Sequence, residues 1–135
     1  EFDAAHRVMR HESKCKNLHG HRYVIEVSCV AESLDSIGRV IDFSVLKSVV
    51  GGWIDTHLDH GTLLNQEDTE IAEFLISRGH KVYILPSGNP TAEVMAEHMA
   101  AVFNGLLKPF SIAVSHLRLY ETPNCYADWR ADVLR

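Results

Sequence analysis

Three histidines near the start of the chain have the spacing of a metal site. His19 and His21 are separated only by Gly20, in a segment with the composition of a strand. Residues two apart in a strand project to the same face, so both imidazoles can reach one ion. His6 lies in an earlier strand-like segment, and a hairpin across residues 10–18 would bring it to that face. Three histidine ligands leave a fourth position open, as in catalytic zinc sites.

A second interpretation of these histidines involves no metal. The chain contains 9 histidines in 135 residues, so close pairs arise by chance and a short motif carries a risk of false positives. A His-x-His pair also fits one face of a half-exposed strand. An open zinc ion holds water or polarises a substrate oxygen, so the choice between the two interpretations decides whether this end of the chain is reactive.

Cys15 precedes His19 and lies outside the predicted strand, where its thiol can reach a substrate without joining the ligand set. Nearby positive charge favours the thiolate form of a cysteine. Basic residues crowd the same region and could accommodate a phosphorylated small molecule; they are Arg7, Arg10, Lys14, Lys16 and Arg22. An ordinary thiol in a solvated loop is the alternative, and it stays open here.

The composition describes one globular domain without a strong charge bias. Apolar residues make up 46% of the chain, enough to bury a core. The formal net charge of -5 gives no general attraction to nucleic acid or to an anionic membrane surface. The cysteines lack paired spacing, and neither a membrane-spanning apolar run nor a signal pattern is present. We therefore expect a cytoplasmic protein, with further residues upstream because Glu1 already lies in an apparent strand.

Hydrophobic periodicity predicts the order strand, strand, helix, helix, strand, strand, with an additional segment at about 66–88. The predicted strands are 1–9, 19–32, 111–121 and 126–134, with a brief strand at 81–85. The predicted helices are 42–56, 68–78 and 91–107. Asp42 or Ser44 is expected to cap the first helix, and Asn89 or Thr91 the last. Residues 58–61 are predicted to form a loop.

Two carboxylates outside the histidine region could also take part in chemistry. Asp59 precedes His60 in the predicted loop, and a carboxylate that orients an imidazole is a pair used in general acid–base catalysis. Glu121 ends a predicted strand, where it can accept two parallel N–H bonds from a guanidine-like ring edge. Both have plainer interpretations, because adjacent loop residues point in different directions and charged residues at strand ends are usually solvated.

Six short motifs occur in the order found in the 6-pyruvoyl-tetrahydropterin synthase superfamily, which the chain resembles over nearly its whole length. They are Phe2-x-Ala4-Ala5-His6, Cys15-x-x-x-His19-Gly20-His21, Ile41-Asp42-Phe43-x-x-Leu46-Lys47, Leu58-Asp59-His60, Asn89-Pro90-Thr91-Ala92-Glu93 and Tyr120-Glu121-Thr122. Their ordered combination is more specific than any one of them. The three residues between Cys15 and His19 resemble the carboxy-forming branch, because pyruvoyl-forming members typically have a longer gap.

The resemblance implies the tunnelling fold (T-fold), an α+β architecture with helices packed on one face of an antiparallel sheet. Copies of such a unit form a β-barrel homo-oligomer, a hexamer or a tetramer, with active sites at subunit interfaces. We expect residues 1–135 to form a single pterin-synthase-like domain. The segment at about 66–88 is longer than the superfamily pattern leads us to expect. It is either a surface insert, which is thermodynamically cheap, or a change to the pocket or assembly.

The resemblance also implies roles for the candidate residues. These are Zn²⁺ ligation by His6, His19 and His21, catalysis by Cys15 as a thiolate base with Asp59 and His60 as its proton relay, and pterin binding by Glu121 with Thr91 and Glu93 nearby. Zinc is the only cofactor implied, and neither nucleic acid nor a membrane is an implied partner.

The implied reaction converts 7,8-dihydroneopterin triphosphate to a 6-carboxylated tetrahydropterin with release of acetaldehyde and triphosphate, in the synthesis of a queuosine (7-deazaguanine) precursor. Two alternatives remain. A pyruvoyl-forming lyase would eliminate triphosphate without cleaving the side chain, and a non-catalytic relative would only bind pterin or zinc. The joint presence of Cys15, Asp59 and His60 argues against the second alternative.

Overall fold

Six strands form one sheet within residues 1–131, the part of the chain that the computed structural model describes. The strands are β1 (Phe2–His6), β2 (His19–Val30), β3 (Gly61–Asn65), β4 (Val82–Leu85), β5 (Ala113–Thr122) and β6 (Cys125–Arg130). Their order across the sheet is β4-β3-β1-β2-β5-β6. The predicted hairpin across residues 10–18 is confirmed, since β1 and β2 pair antiparallel.

The sheet is mixed, and the expectation of an antiparallel sheet was wrong in this respect. β1, β2, β5 and β6 pair antiparallel, whereas β3 pairs parallel with both β1 and β4. Periodicity gives no signal for β3 because this short parallel strand is buried at four of its five residues. Strands covered on both faces lose the alternation of apolar and polar residues.

The helices are α1 (Phe43–Leu46), α2 (Gly52–His57), α3 (Thr69–Ser77) and α4 (Ala92–Leu107), with a π-helical stretch, Lys47–Gly51, joining α1 to α2. The helices predicted at 42–56, 68–78 and 91–107 are thus confirmed with small shifts at their ends. Asp42 caps α1 by accepting from the Ser44 N–H at 2.7 Å. Thr91 Oγ1 caps α4 by accepting from the Val94 N–H at 3.3 Å, so each helix uses one of its two candidate caps.

The core lies between one face of the sheet and α4, with the α1–α2 segment beside it. Paired residues of β1 and β2 share that face, which therefore carries Phe2 opposite Tyr23. From α4, Met95, Met99 and Phe103 are almost fully buried against it. Fully burying one such side chain contributes on the order of 2 kcal/mol. The packing of α4 therefore stabilises the sheet on the same face from which the histidines project.

The segment 66–88 contributes α3 and the edge strand β4. Leu85 joins the core, and Tyr83 packs against Trp53. The Tyr83 hydroxyl also lies 2.6 Å from His98 Nε2 on α4. These contacts make the segment part of the packed unit, while its interpretation as an insert stays a prediction.

The final predicted strand, 126–134, is only partly described. β6 ends at Arg130, and residues 132–134 lie outside the described range. The expected domain limit at residue 135 lies outside it as well.

Candidate functional site

The β1–β2 register brings three imidazoles to one point. His6 pairs with His19, and Ala4 pairs with His21, so the three rings project from the same face. Glu121 joins them from β5, and one ligand atom from each of the four residues lies within 4.8 Å of the others. Gly20 permits this close pairing, because a Cβ at its position would lie only 3.2 Å from the Ala4 carbonyl oxygen.

The hydrogen bonds of the rings leave the correct nitrogens available for a metal. His6 Nδ1 bonds the Pro90 carbonyl oxygen at 2.7 Å, and His19 Nδ1 bonds the Asn17 carbonyl oxygen at 2.6 Å. A carbonyl oxygen can only accept a hydrogen bond, so each ring carries its proton on Nδ1. The lone pair on Nε2 therefore points away from the carbonyl and is available to a metal. Backbone carbonyls hold metal-binding histidines in this manner.

Two of these Nε2 atoms are buried without a hydrogen bond among residues 1–131, namely those of His6 and His21. His21 Nε2 lies 3.0 Å from Glu121 Oε1, but this contact lacks hydrogen-bond geometry, and the same oxygen is 4.0 Å from His6 Nε2. Burial lowers the pKa of both His6 and His21, which favours the neutral, metal-binding form of each ring. The donor set therefore fits a divalent metal ion.

Asn89 ties the metal-binding region to the loop before α4. Its side-chain carbonyl accepts from the Met9 N–H and from Asn65 Nδ2, both at 3.0 Å, and its amide donates to the Met9 carbonyl at 2.9 Å. These bonds join the chain beyond β1 to the residue preceding Pro90, whose carbonyl holds His6. The sequence shows Asn89 as part of a motif but does not show this positioning role.

A cavity of about 210 Å³ opens beside the histidine cluster. It brings together His6 and four other predicted site residues, which are Cys15, Thr91, Glu93 and Glu121. Cys15 is half-buried in a single 3₁₀ turn, and its carbonyl accepts from the Val8 N–H at 2.9 Å. The loop is thereby closed against the end of β1.

Five further lining residues were not predicted as site residues: Val8, His11, Ala92, Cys125 and Tyr126. Cys125 in particular was interpreted as a turn residue without a partner. Cys125 lies close to Glu121 across a tight turn, and His11 lies close to Cys15 within one loop. These two proximities could have indicated that Cys125 and His11 line the cavity.

Asp59 and His60 interact with each other but lie away from this cavity. Asp59 Oδ2 is 2.9 Å from His60 Nδ1, and Asp59 Oδ1 accepts from the Asp3 N–H at 3.0 Å. The Asp3 N–H and His60 hold the pKa of Asp59 below its usual range. His60 borders a shallow depression with Gly20 and Arg22, on the sheet face opposite the histidine cluster, and its side chain is 77% exposed. The structure therefore does not bring this pair to Cys15 within one chain.

Comparison of the chain with known proteins assigns this sheet and its histidine–carboxylate cluster to a family. The family described as 6-pyruvoyl tetrahydropterin synthase matches residues 1–132. The chain belongs to this family.

Relatives and solved structures agree with this assignment. The chain is 43% identical to the 6-carboxy-5,6,7,8-tetrahydropterin synthase of Rickettsia bellii, over 95% of this chain and 94% of that protein. An uncharacterized protein from Wolinella succinogenes has a similar fold, with a TM-score of 0.82, 21% identity, and coverage of 97% and 94% of the two chains. The 6-pyruvoyl tetrahydropterin synthase of Caenorhabditis elegans gives a TM-score of 0.69 at 23% identity, covering 97% and 90%. These two likenesses support the T-fold.

Among the described residues, none of the helices has the length and apolar character needed to cross a membrane.

Proposed function

We propose that the protein is a zinc-dependent lyase that converts 7,8-dihydroneopterin triphosphate to 6-carboxy-5,6,7,8-tetrahydropterin, releasing acetaldehyde and triphosphate, in queuosine precursor synthesis. The observation that carries the proposal is the cluster of His6, His19, His21 and Glu121 beside a cavity that Cys15 lines. Relatives named for the carboxylated product favour it over the pyruvoyl product.

His6, His19 and His21 would hold the zinc ion. When bound, zinc supplies a Lewis acid that stabilises negative charge developing on substrate oxygens. Burial lowers the pKa of His6 and His21, which suits this role because a neutral imidazole need not lose a proton to become a ligand. Glu121 Oε1 lies close enough to complete the ligand set, and it can instead accept the N–H edge of a pterin ring that enters the cavity.

The cavity walls supply the remaining roles. Cys15 would take the carbon-bound proton, since this residue lines the cavity and is not part of the ligand cluster. Glu93 adds a second carboxylate to the lining of the cavity, besides that of Glu121. Thr91 Oγ1 already accepts the Val94 N–H of the helix cap, which leaves its hydroxyl proton available to a substrate.

Asp59 and His60 would serve the Cys15 of a neighbouring copy. Their contact at 2.9 Å is suited to proton relay, yet they lie on the opposite sheet face from Cys15 of the same chain. A homo-oligomer with sites at its interfaces resolves this separation, and we propose that the protein acts in that form.

Incubation of the purified protein with 7,8-dihydroneopterin triphosphate tests the proposed reaction. We expect the substrate to be consumed and mass spectrometry to identify a 6-carboxylated tetrahydropterin together with acetaldehyde. A pyruvoyl product without acetaldehyde would reassign the chain to the other reaction of the family. Failure to consume the substrate at full metal occupancy would contradict a catalytic role.

Metal content gives a prediction that does not depend on activity. Protein purified without chelators is expected to contain about one zinc ion per chain, because three imidazoles converge with one site between them. Alanine at His19 or His21 should remove most of the metal detected by elemental mass spectrometry, whereas alanine at the exposed His80 should not. Metal-free protein, or metal lost on replacing Cys15, would show that the ligand set is wrong.

A further inference from the structure

The cavity beside the histidine cluster is lined by side chains of different chemical character. The carboxylates of Glu93 and Glu121 line it together with His11 and Cys15. A ligand with hydrogen-bond donors at one end and negative charge at the other would therefore have a preferred direction in this cavity.

The loop of residues 10–18 carries the positive charge that is available to such a ligand. Two arginines near it are already paired, Arg7 with the buried Asp68 and Arg10 with Glu67. Lys14 and Lys16 flank Cys15 and form no ion pair within the described part of the chain. The unpaired charge of these two lysines thus lies on the same loop as His11, whose Nδ1 is also 3.9 Å from a carboxylate oxygen of the exposed Glu12.

His11 is held in one orientation by its own loop. The Ser13 N–H donates to His11 Nδ1 at 2.9 Å. A ring nitrogen that accepts a hydrogen bond cannot also carry a proton, so neutral His11 has its proton on Nε2. Nε2 forms no hydrogen bond within residues 1–131. The His11 N–H also donates to the Val8 carbonyl, and the Val8 N–H donates to the Cys15 carbonyl. These two bonds hold the loop beside the cavity.

We propose that the Nε2–H of His11 binds the triphosphate tail of the substrate, with Lys14 and Lys16 contributing positive charge. Phosphate oxygens accept such charge-assisted bonds, and the donor edge of the pterin ring would then lie toward Glu93 and Glu121. His11 thereby sets the direction of the substrate. This inference rests on the proposed function and adds a binding residue to it.

Two variants separate the two ring nitrogens. In His11→Asn the amide can replace Nδ1 but does not reach the position of Nε2, whereas in His11→Gln the longer amide places an N–H near Nε2. Binding is measured on the zinc-loaded protein by pterin fluorescence, with oxidised neopterin triphosphate and oxidised neopterin as ligands that are not turned over. His80→Asn is the matched control, since His80 is exposed and outside the cavity.

We expect His11→Asn to raise the Kd for neopterin triphosphate about tenfold, the effect of one charge-assisted hydrogen bond, and to leave the Kd for neopterin unchanged. His11→Gln should stay within about threefold of the wild type for both ligands. In turnover, His11→Asn should lower kcat/KM by about the same factor, because the contact with the tail is missing from the transition state relative to free enzyme and substrate.

Equal weakening of both ligands by His11→Asn would indicate a structural role and overturn the inference, as would no weakening at all. The wild-type protein also distinguishes the two proposals. Equal affinity for neopterin and its triphosphate would overturn the tail site while leaving the pterin function intact. Binding of neither ligand would overturn both.

Discussion

Replacing Cys15 by alanine is expected to lower kcat by about a thousandfold while leaving zinc content and thermal stability unchanged. Loss of a proton-transfer group typically costs a factor of about 10² to 10⁴. The metal should remain because the proposed ligands are His6, His19 and His21, and the cluster that they form with Glu121 does not include the thiol. Steady-state kinetics, elemental analysis and thermal unfolding on the same preparation measure the three quantities.

Cys29→Ala is the matched control for the loss of a thiol. Cys29 packs against the core from β2, and burial raises the pKa of its thiol, so it is held in the unreactive protonated form. This variant should lose some stability and keep its kcat. If Cys15→Ala loses its zinc as well as its activity, the sulfur is a ligand and the division of roles proposed for this cavity is wrong.

The parts of the site that the sequence predicts are those set by local periodicity. His19 and His21 share a face because strand side chains alternate, and their distance from His6 is fixed by the hairpin between β1 and β2. Both consequences follow from residues close together in the chain. Glu121 is different, because its position in the cluster depends on the pairing of β5 with β2 and on a register irregularity between Tyr120 and Thr122.

The parts that the sequence does not predict depend on packing or on backbone bonds. Nothing in the adjacency of Asp59 and His60 indicates that both lie across the sheet from Cys15, since that placement follows from the parallel pairing of β3 with β1. The tautomer of His11 is set by the backbone N–H of Ser13, and a motif contains no information about such a bond. Side-chain types indicate which chemistry is available, whereas the sheet topology decides which residues lie together in one site.

Mixing two inactive variants should restore activity if each site draws on two chains. His60→Ala removes the proposed relay, and Cys15→Ala removes the thiol, so neither homo-oligomer is expected to turn over substrate at a useful rate. In a mixed oligomer some sites combine an intact Cys15 from one chain with an intact Asp59–His60 pair from its neighbour. Random association at equal amounts produces such sites in about one case in four, so recovery to about a quarter of wild-type activity is expected.

The measurement requires the two variants to carry different affinity tags and to be co-expressed, so that mixed oligomers can be isolated by consecutive purification. The matched control replaces the His60→Ala partner with the double variant Cys15→Ala, His60→Ala, which supplies no thiol and should restore nothing. Recovery specific to the first mixture would agree with the exposed position of His60 and its distance from the Cys15 cavity of its own chain. Mixed oligomers that form but stay inactive would contradict shared sites. The residue that accepts the proton from Cys15 would then have to be sought within the cavity, where Glu93 supplies a carboxylate from the first turn of α4.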